Sequence, residues 1–309
     1  MTPEGFEDLV RPYRRELAAH CYRMLGSLAD AEDQVQETLL RAWRGIDGFA
    51  ARASVKSWLY RIATNACLDL LRARPRLEMP MESFGPHDPA APLPATNPEL
   101  LWLEPAPASL VGPEASLASR ETVQLAFMTA LQQLPAMQRA AVLLADVLEW
   151  PVGEIAELLE STPAAINSAL QRARATLEGR KRPGKAVDAA LLERYMEAWA
   201  RGDVAAFAAL LHEDVVVSMP PNPAWFRGRD AVVAFLGPRM APQAQRMVRA
   251  DGADEVTFAF YRSDGGGAYV ARAIEVVMWE DGRVRELHAF FDRKLVERWG
   301  MPATMSIGR

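Results

Sequence analysis

Apolar positions along the chain follow three regimes. From Phe6 to about Arg76 they recur at spacings of three and four with almost no proline after Pro12, a helical pattern, and the same spacing returns from Arg120 to about Arg182. Between these stretches, residues 77–119 contain no lysine or arginine. They hold Glu78, Glu82, Asp88, Glu99, Glu104 and Glu114 and carry prolines at 80, 86, 89, 92, 94, 98, 105, 107 and 113. Such a segment is expected to be extended and to build no core of its own. After the Pro183-Gly184 break comes one helix, then alternating strand text, VTFAFYR and YVARAIEVVMW, with Asp281-Gly282 as a hairpin signal. The expected architecture is multidomain. Two all-α modules, at 1–76 and 120–182, are joined by an acidic Pro-rich linker at 77–119, and an α+β domain fills 185–309. No internal repeat is visible.

Charge narrows the function. Across 309 residues, 35 basic and 40 acidic side chains leave a formal net charge of −5, which excludes a uniformly basic nucleic-acid coat. No run of about 18 uncharged apolar residues exists to cross a bilayer, and the opening MTPEGFEDLV has no apolar signal core, so a cytoplasmic protein is expected. Cys21 and Cys67 lie far apart in helical text, which argues against a disulfide framework or a zinc site. Both read as small core residues, and no metal or cofactor is expected.

In DAEDQVQETLLRAWRGI, Val35, Leu39, Ala42, Trp43 and Ile46 mark one helix face, and Asp30, Glu32, Asp33, Gln36 and Glu37 lie off it. By composition alone that is an ordinary solvated face. The next helix, SVKSWLYRIATNACLDLLRARPR, sets Trp58, Leu59, Ile62, Ala66 and Leu70 against the cations Lys56, Arg61, Arg72, Arg74 and Arg76, which suit phosphates. One acidic and one basic helix let a module hold a protein on one surface and a nucleic acid on another.

The spacing of DAED-VQET-RAW to SWL-RIA-N-LD-R resembles regions 2.1 to 2.4 of the extracytoplasmic-function (group IV) sigma factors of the sigma-70 family. The resemblance implies that the acidic helix, through Asp30, Glu32, Asp33, Gln36, Glu37 and Arg41, docks on the β′ clamp helices of core RNA polymerase. It implies that the loop GIDGFAARAS and the basic helix, through Lys56, Arg61, Asn65, Asp69 and Arg72, open and read the −10 element. Holding a melted strand needs a pocket for an unstacked base and cations on its backbone. Asn65, Asp69 and Arg72, within two helical turns of each other, suit that need.

In the second module, VGEIAELLE places Ile155, Leu158 and Leu159 inside, and Ser161-Thr162-Pro163 supplies the stop and N-cap for a next helix that buries Ala165, Ile166, Ala169, Leu170 and Ala173. Its opposite side carries Asn167, Ser168, Gln171, Arg172 and Arg174, the pattern of a helix-turn-helix recognition helix. Downstream of the first module it resembles sigma region 4, the partner of the β flap, which implies −35 contacts by Thr162, Asn167, Gln171, Arg172 and Arg174. The acidic arm, whose carboxylates imitate phosphates, then suits the polymerase channel later taken by RNA. Its hydrophobic island LLWLEPAP, with Trp102 and Glu104, resembles the SigG-like subgroup, which carries an extra C-terminal domain.

From VDAALLERYMEAW to HAFFDRKLVERWGMP the chain resembles SnoaL-like domains of the NTF2-like superfamily, a cone of helices against a curved sheet. The resemblance implies a cavity lined by Tyr195, Trp199, Met219, Trp225 and His288 and open to a small-molecule ligand, although aromatic content of this kind also serves plain packing. His288, Glu275 and Asp292 are the acid-base candidates. SDGGGAYVAR, with Asp264 and Gly265, Gly266 and Gly267, resembles a regulatory motif that contacts the sigma core. Ala268 stands where related subgroups have lysine, and the glycines fit a hairpin turn equally well. The expected function is an alternative sigma factor regulated by its fused domain, not itself an enzyme. A small-molecule-converting C-terminal domain and a ligand-sensing helix-turn-helix repressor are the other classes open.

Overall fold

The computed structural model describes residues 2–49, 54–74, 76–97, 100–112, 121, 123–178, 187–252 and 256–306. The chain divides into two compact units, Met1–Leu77 with Ala108–Arg182, and Glu78–Pro107 with Pro183–Arg309. Residues 50–53 of the GIDGFAARAS loop, 113–120 and the Pro183-Gly184 break lie outside the described residues.

The first unit is helical. It begins with α1 (Pro3–Val10), α2 (Arg14–Leu25), α3 (Leu28–Gly45) and α4 (Val55–Ala73). Gly26, at φ 77°, ends α2 in the left-handed conformation that glycine adopts without a Cβ penalty. Ser27 then caps α3, its hydroxyl accepting from the Asp30 amide at 3.3 Å. Ser54 caps α4 in the same way, through the Ser57 amide at 3.0 Å.

Helix α2 is buried almost all round, with Leu17, Ala19, Cys21, Tyr22, Met24 and Leu25 in the core together with His20 and Arg23. Against it α3 brings Ala31, Val35, Leu39 and Ala42, and α4 brings Leu59, Ala63, Ala66 and Cys67. Both cysteines are free and buried, as expected. His20 Nε2 sits 2.9 Å from Thr64 Oγ1, and burial pushes its imidazole down to about 3, so the ring is neutral near pH 7.

The same unit continues with α6 (Leu125–Gln132), α7 (Ala136–Val142), a wide helical turn at Leu143–Val147, α8 (Val152–Leu158) and α9 (Pro163–Glu178). Ile155, Leu158 and Leu159 are buried as the pattern requires, and the turn to α9 passes through Glu160 at φ 49°. Thr162 caps α9, accepting from the Ala165 amide at 3.2 Å. The inward row of α9 is Ile166, Leu170, Ala173 and Leu177, whereas Ala165 is exposed and Ala169 half-buried. Spacings of four, three and four hold that row to a narrow stripe, too narrow for the two alanines beside it.

Arg139 of α7 is 3% exposed. Its guanidinium donates to the Met24 carbonyl at the end of α2, to Gln132 Oε1 at 2.6 Å, to the Gln132 carbonyl at 3.0 Å and to the Leu134 carbonyl at 3.2 Å. Burial lowers its pKa only to about 10, so the group stays charged, and its hydrogen bonds tie α7 to the ends of α2 and α6.

The second unit is a sheet with helices. Its elements are α5 (Pro80–Ser83), α10 (Ala189–Arg201), α11 (Val204–Leu210), α12 (Arg229–Leu236) and α13 (Arg293–Arg298), with β1 (Leu211–Met219), β2 (Asn222–Arg227), β3 (Gln245–Arg249), β4 (Thr257–Ser263), β5 (Ala268–Glu280), β6 (Arg283–Phe290) and β7 (Thr304–Ser306). Strand order is β2-β1-β6-β5-β4-β3, with β7 on β5 and the β1–β6 pair parallel. Asp281 and Gly282, at φ 49° and 75°, make the tight β5–β6 turn that the sequence announces. Tyr195, Phe207, Phe226, Phe235 and Phe258 form the aromatic centre of its core.

Residues 78–107, expected to be an extended linker without a core, are drawn into this unit. Leu103 and Ala106 are buried, Glu78 bridges Trp102, and Pro107 bridges Gly252. The arm also borders the edge strand β2. The His87 amide donates to the Trp225 carbonyl at 2.7 Å, Trp225 Nε1 donates to the Phe84 carbonyl at 2.7 Å, and Asn222 Nδ2 donates to the Pro94 carbonyl at 2.8 Å. Proline lacks the N–H but keeps its carbonyl, so a proline-rich strap can still accept hydrogen bonds.

Replacing Arg139 with methionine leaves four acceptors without their donor. The expected loss is about 3 kcal/mol of stability in denaturant unfolding of the full chain. A loss below about 1 kcal/mol would show that these carbonyls find other partners.

Candidate nucleic-acid interface and C-terminal cavity

On α4, Arg61, Asn65, Asp69 and Arg72 are all exposed and, at spacings of four, four and three, form one line along the helix. Asp69 accepts from Arg41 of α3 at 3.2 Å and from Arg72 at 2.8 Å. Arg41 is also held by Glu37 at 2.6 Å, and the two carboxylates beside it raise its pKa. Asp69 therefore braces two cations, while Arg61 and Asn65 have no side-chain hydrogen bond or ion pair among the described residues. Lys56 lies off the line and pairs with Glu16 at 2.6 Å.

The acidic residues of α3 divide in two. Asp30 is half-buried and paired with Arg74, making it a strut between α3 and the end of α4. Glu32, Asp33 and Gln36 are exposed, and Glu37 is half-exposed. Beside them Leu40 is 50% exposed and Trp43 is 37% exposed, so the outer face of this helix is apolar as well as acidic. Trp43 meets Phe6 edge to face, with centroids 5.2 Å apart.

On α9, Asn167, Ser168, Gln171 and Arg172 are exposed, and Thr162 sits at the helix start. Arg174 is committed to Asp146 through two bonds of 3.0 and 2.6 Å, which raise its pKa. Arg172 has no acid partner among the described residues.

The second unit holds a cavity of about 550 Å³. Of the residues expected to line it, Trp199 and Met219 do, and Tyr195, Trp225 and His288 do not. Val217 and Met219 of β1 and Leu287 and Ala289 of β6 face it, so strand alternation turns Ser218 and His288 to the other side. There His288 is held by Ser218 Oγ at 2.8 Å and Glu286 at 3.1 Å. Trp225 gives its indole N–H to the arm. Asp292 caps α13, accepting from the Lys294 amide at 2.8 Å.

Of the three acid-base candidates only Glu275 reaches the cavity. It is 3% exposed and accepts the hydroxyl of fully buried Tyr195. Burial pushes its carboxyl up to about 7, against the lowering effect of the Tyr195 hydrogen bond.

Asp264 closes the β4–β5 turn by accepting from the Gly266 amide at 2.7 Å and the Ala268 amide at 3.1 Å, which hold its carboxyl below the usual range. Gly265 and Gly267 take φ of 76° and 102°, so this motif builds an exposed hairpin turn. Trp102 stacks obliquely near Phe84, with centroids 6.4 Å apart. Cavity residues that the sequence reading missed include Leu93 and Thr96 of the arm and Arg239, Arg262 and Arg272. Among the described residues no cluster of His, Cys, Asp or Glu has the arrangement of a metal site.

A helical unit followed along the chain by a sheet with helices is the architecture of a sigma-type transcription factor with an added C-terminal domain, as comparison with known proteins shows. Residues 9–77 match Sigma-70 region 2, residues 124–177 match Sigma-70 region 4, and residues 192–287 match the SnoaL-like domain. The ECF RNA polymerase sigma factor SigG of Mycobacterium tuberculosis is 38% identical over 316 residues, covering 97% of this chain and 85% of that protein. SigJ of the same species is 31% identical over 250 residues, covering 76% of this chain and 72% of that protein. The crystal structure of SigJ superposes with a TM-score of 0.61 at 26% identity, covering 98% of this chain and all of that one. The chain belongs to the extracytoplasmic-function sigma factors of the sigma-70 family, and its C-terminal domain is NTF2-like.

The Glu275 carboxyl sets a pH test. Between the ordinary value of 4.5 and about 7 the folded chain keeps a proton that the unfolded chain has lost, so stability falls as pH rises through that window and levels off above it. The total is roughly 3 kcal/mol. Glu275→Gln stays neutral and still accepts from Tyr195. Its melting temperature should therefore gain on the parent's from pH 4.5 to 7, and an offset independent of pH would contradict the assignment.

Proposed function

We propose that this chain is an alternative sigma factor that binds core RNA polymerase through the outer face of α3 and directs it to promoters. In this reading the clamp helices of β′ meet Glu32, Asp33, Gln36 and Glu37, with Leu40 and Trp43 as the apolar part of the contact, while Asp30 and Arg41 set the face from within. Arg61, Asn65 and Arg72 of α4 meet the −10 strand, positioned by Asp69, and Lys56 contributes charge further along the helix. Thr162, Asn167, Gln171 and Arg172 meet the −35 element, with Arg174 steadying α9 and the β flap supporting that module.

The observation that carries the reading is that two separate polar faces, one on each matched sigma region, keep base-reading and phosphate-holding side chains out of internal pairs. In α4 these are Arg61 and Asn65, and in α9 they are Asn167, Gln171 and Arg172.

The C-terminal domain acts as a built-in regulator, with the 78–107 strap, including Trp102 and Glu104, and the Asp264–Gly267 turn as its means of reaching the sigma regions. A binding rather than catalytic domain is favoured because Glu275 is the one buried ionisable group facing the cavity among the described residues. Proton transfer at two sites of a substrate would lack its second group. The protein works in the cytoplasm, where core polymerase is. No described helix is long and apolar enough to cross a membrane.

Added positive charge tests the polymerase face. Asp33→Lys with Gln36→Lys changes only exposed positions, and it should weaken binding to purified core enzyme by about tenfold or more without lowering the melting temperature. Unchanged affinity with intact folding would refute the assigned face. Arg172→Ala should cost about 1–3 kcal/mol of promoter affinity in the assembled holoenzyme, dependent on the −35 sequence. A loss equal on all sequences would reassign Arg172 to phosphate.

A further inference from the structure

The cavity in the second unit has an unusual division of polarity. Its buried lining is largely aromatic and aliphatic, with Trp199, Phe235 and Leu287, and also includes Gln245 and Glu275. Its lining also includes Arg239, Arg262 and Arg272, all three exposed, which places them at the mouth. Arg239 lies over the Phe235 ring at 3.9 Å. Arg262 and Arg272 have no acid partner among the described residues.

Two large apolar side chains stand at the same mouth, half in water: Leu93 at 39% exposed and Phe291 at 41%. A mouth that combines guanidinium groups with uncovered hydrocarbon suits one molecule that is both anionic and apolar. Guanidinium matches a carboxylate with two parallel hydrogen bonds. The volume falls in the range of small-molecule pockets.

We infer that this cavity binds an amphipathic carboxylate of fatty-acid type, its chain against Trp199 and Phe260 and its head group at Arg262 and Arg272, and that the bound molecule clamps the acidic arm through Leu93 and Thr96. The arm is part of the site. Leu93 and Thr96 flank Pro94, whose carbonyl is held by Asn222 at 2.8 Å, so a ligand that packs on these residues binds the docked arm and not the released one. Ligand then adds to the stability of the docked arm by mass action. Glu275, neutral over most of the range below pH 7, sets no full negative charge against the ligand there.

This inference goes beyond the sigma-factor reading and does not need it, because it is tested on the full chain without polymerase or DNA. Decanoate, decanol and decylamine are titrated calorimetrically at fixed ionic strength below their micelle concentrations. Decanoate should bind at least about tenfold more tightly than decylamine, with decanol between them. In the R262Q/R272Q double variant, changed only at exposed positions, that order should collapse while decanol binding and the melting temperature stay as they were. Saturating decanoate should slow hydrogen exchange over residues 84–97 in the parent chain. Absence of saturable binding by all three probes, equal binding of decanoate and decylamine, or a carboxylate preference that survives in the double variant would overturn the site. Unchanged exchange over 84–97 with decanoate bound would overturn the clamp.

Discussion

Helix α2 is buried on nearly every side, and most of the first unit follows from enclosing it. A helix with Leu17, Cys21, Tyr22 and Met24 in the core needs apolar stripes from its neighbours, and α3 and α4 supply them with Val35, Leu39 and Ala42 and with Leu59, Ala63 and Cys67. Each stripe uses up one side of its helix. The polar residues of α3 and α4 are thereby forced outward, which is how a packing requirement yields two exposed, chemically distinct faces. The end of α2 is fixed as well, because the Met24 carbonyl accepts from buried Arg139 and joins the two helical segments in one unit.

Within those outward faces, internal pairing separates framework from recognition. Asp30 with Arg74, Asp69 between Arg41 and Arg72, and Arg174 with Asp146 spend charge on holding helices in place. The exposed pairs among these add little stability, and their effect is to fix orientation. In the proposed function Arg61, Asn65, Gln171 and Arg172 are the side chains offered to an outside partner. A nucleic acid is the partner that these residue types suit, since amide and guanidinium groups can take both base edges and phosphates.

The helical part was legible in the sequence because its apolar period is long and uninterrupted, and the packing departs from that reading at Trp43, which shares the apolar face of α3 by period but is exposed, and at Ala165 and Ala169 of α9. Motif spacing supplied the family, which periodicity alone does not. The cavity was harder. His288 carries the familiar chemistry, but period-two alternation in β6 sends Leu287 and Ala289 inward and His288 away, a signal present in the text and overridden by residue type. Arg272 was not readable in that way. The β4–β5 register passes from Phe260–Ala273 to Tyr261–Ala271, and the skipped Arg272 is a bulge that lets it share the cavity with Glu275 three residues on. The partners of the arm were not legible for a related reason. Proline content describes the absence of donors, while Phe84 and Pro94 are held through their carbonyls by Trp225 and Asn222, partners about 130 residues or more away in sequence.

The central claim is that these faces make the chain a specificity subunit, able to open DNA only as part of a larger enzyme. Permanganate reactivity of unpaired thymines on a promoter fragment reads this directly, with core polymerase alone, this chain alone and the two together. The account predicts reactive thymines near −10 only in the combined sample. Strand opening by core alone to the same extent, or a combined sample in which the promoter stays closed at saturating protein, would contradict it.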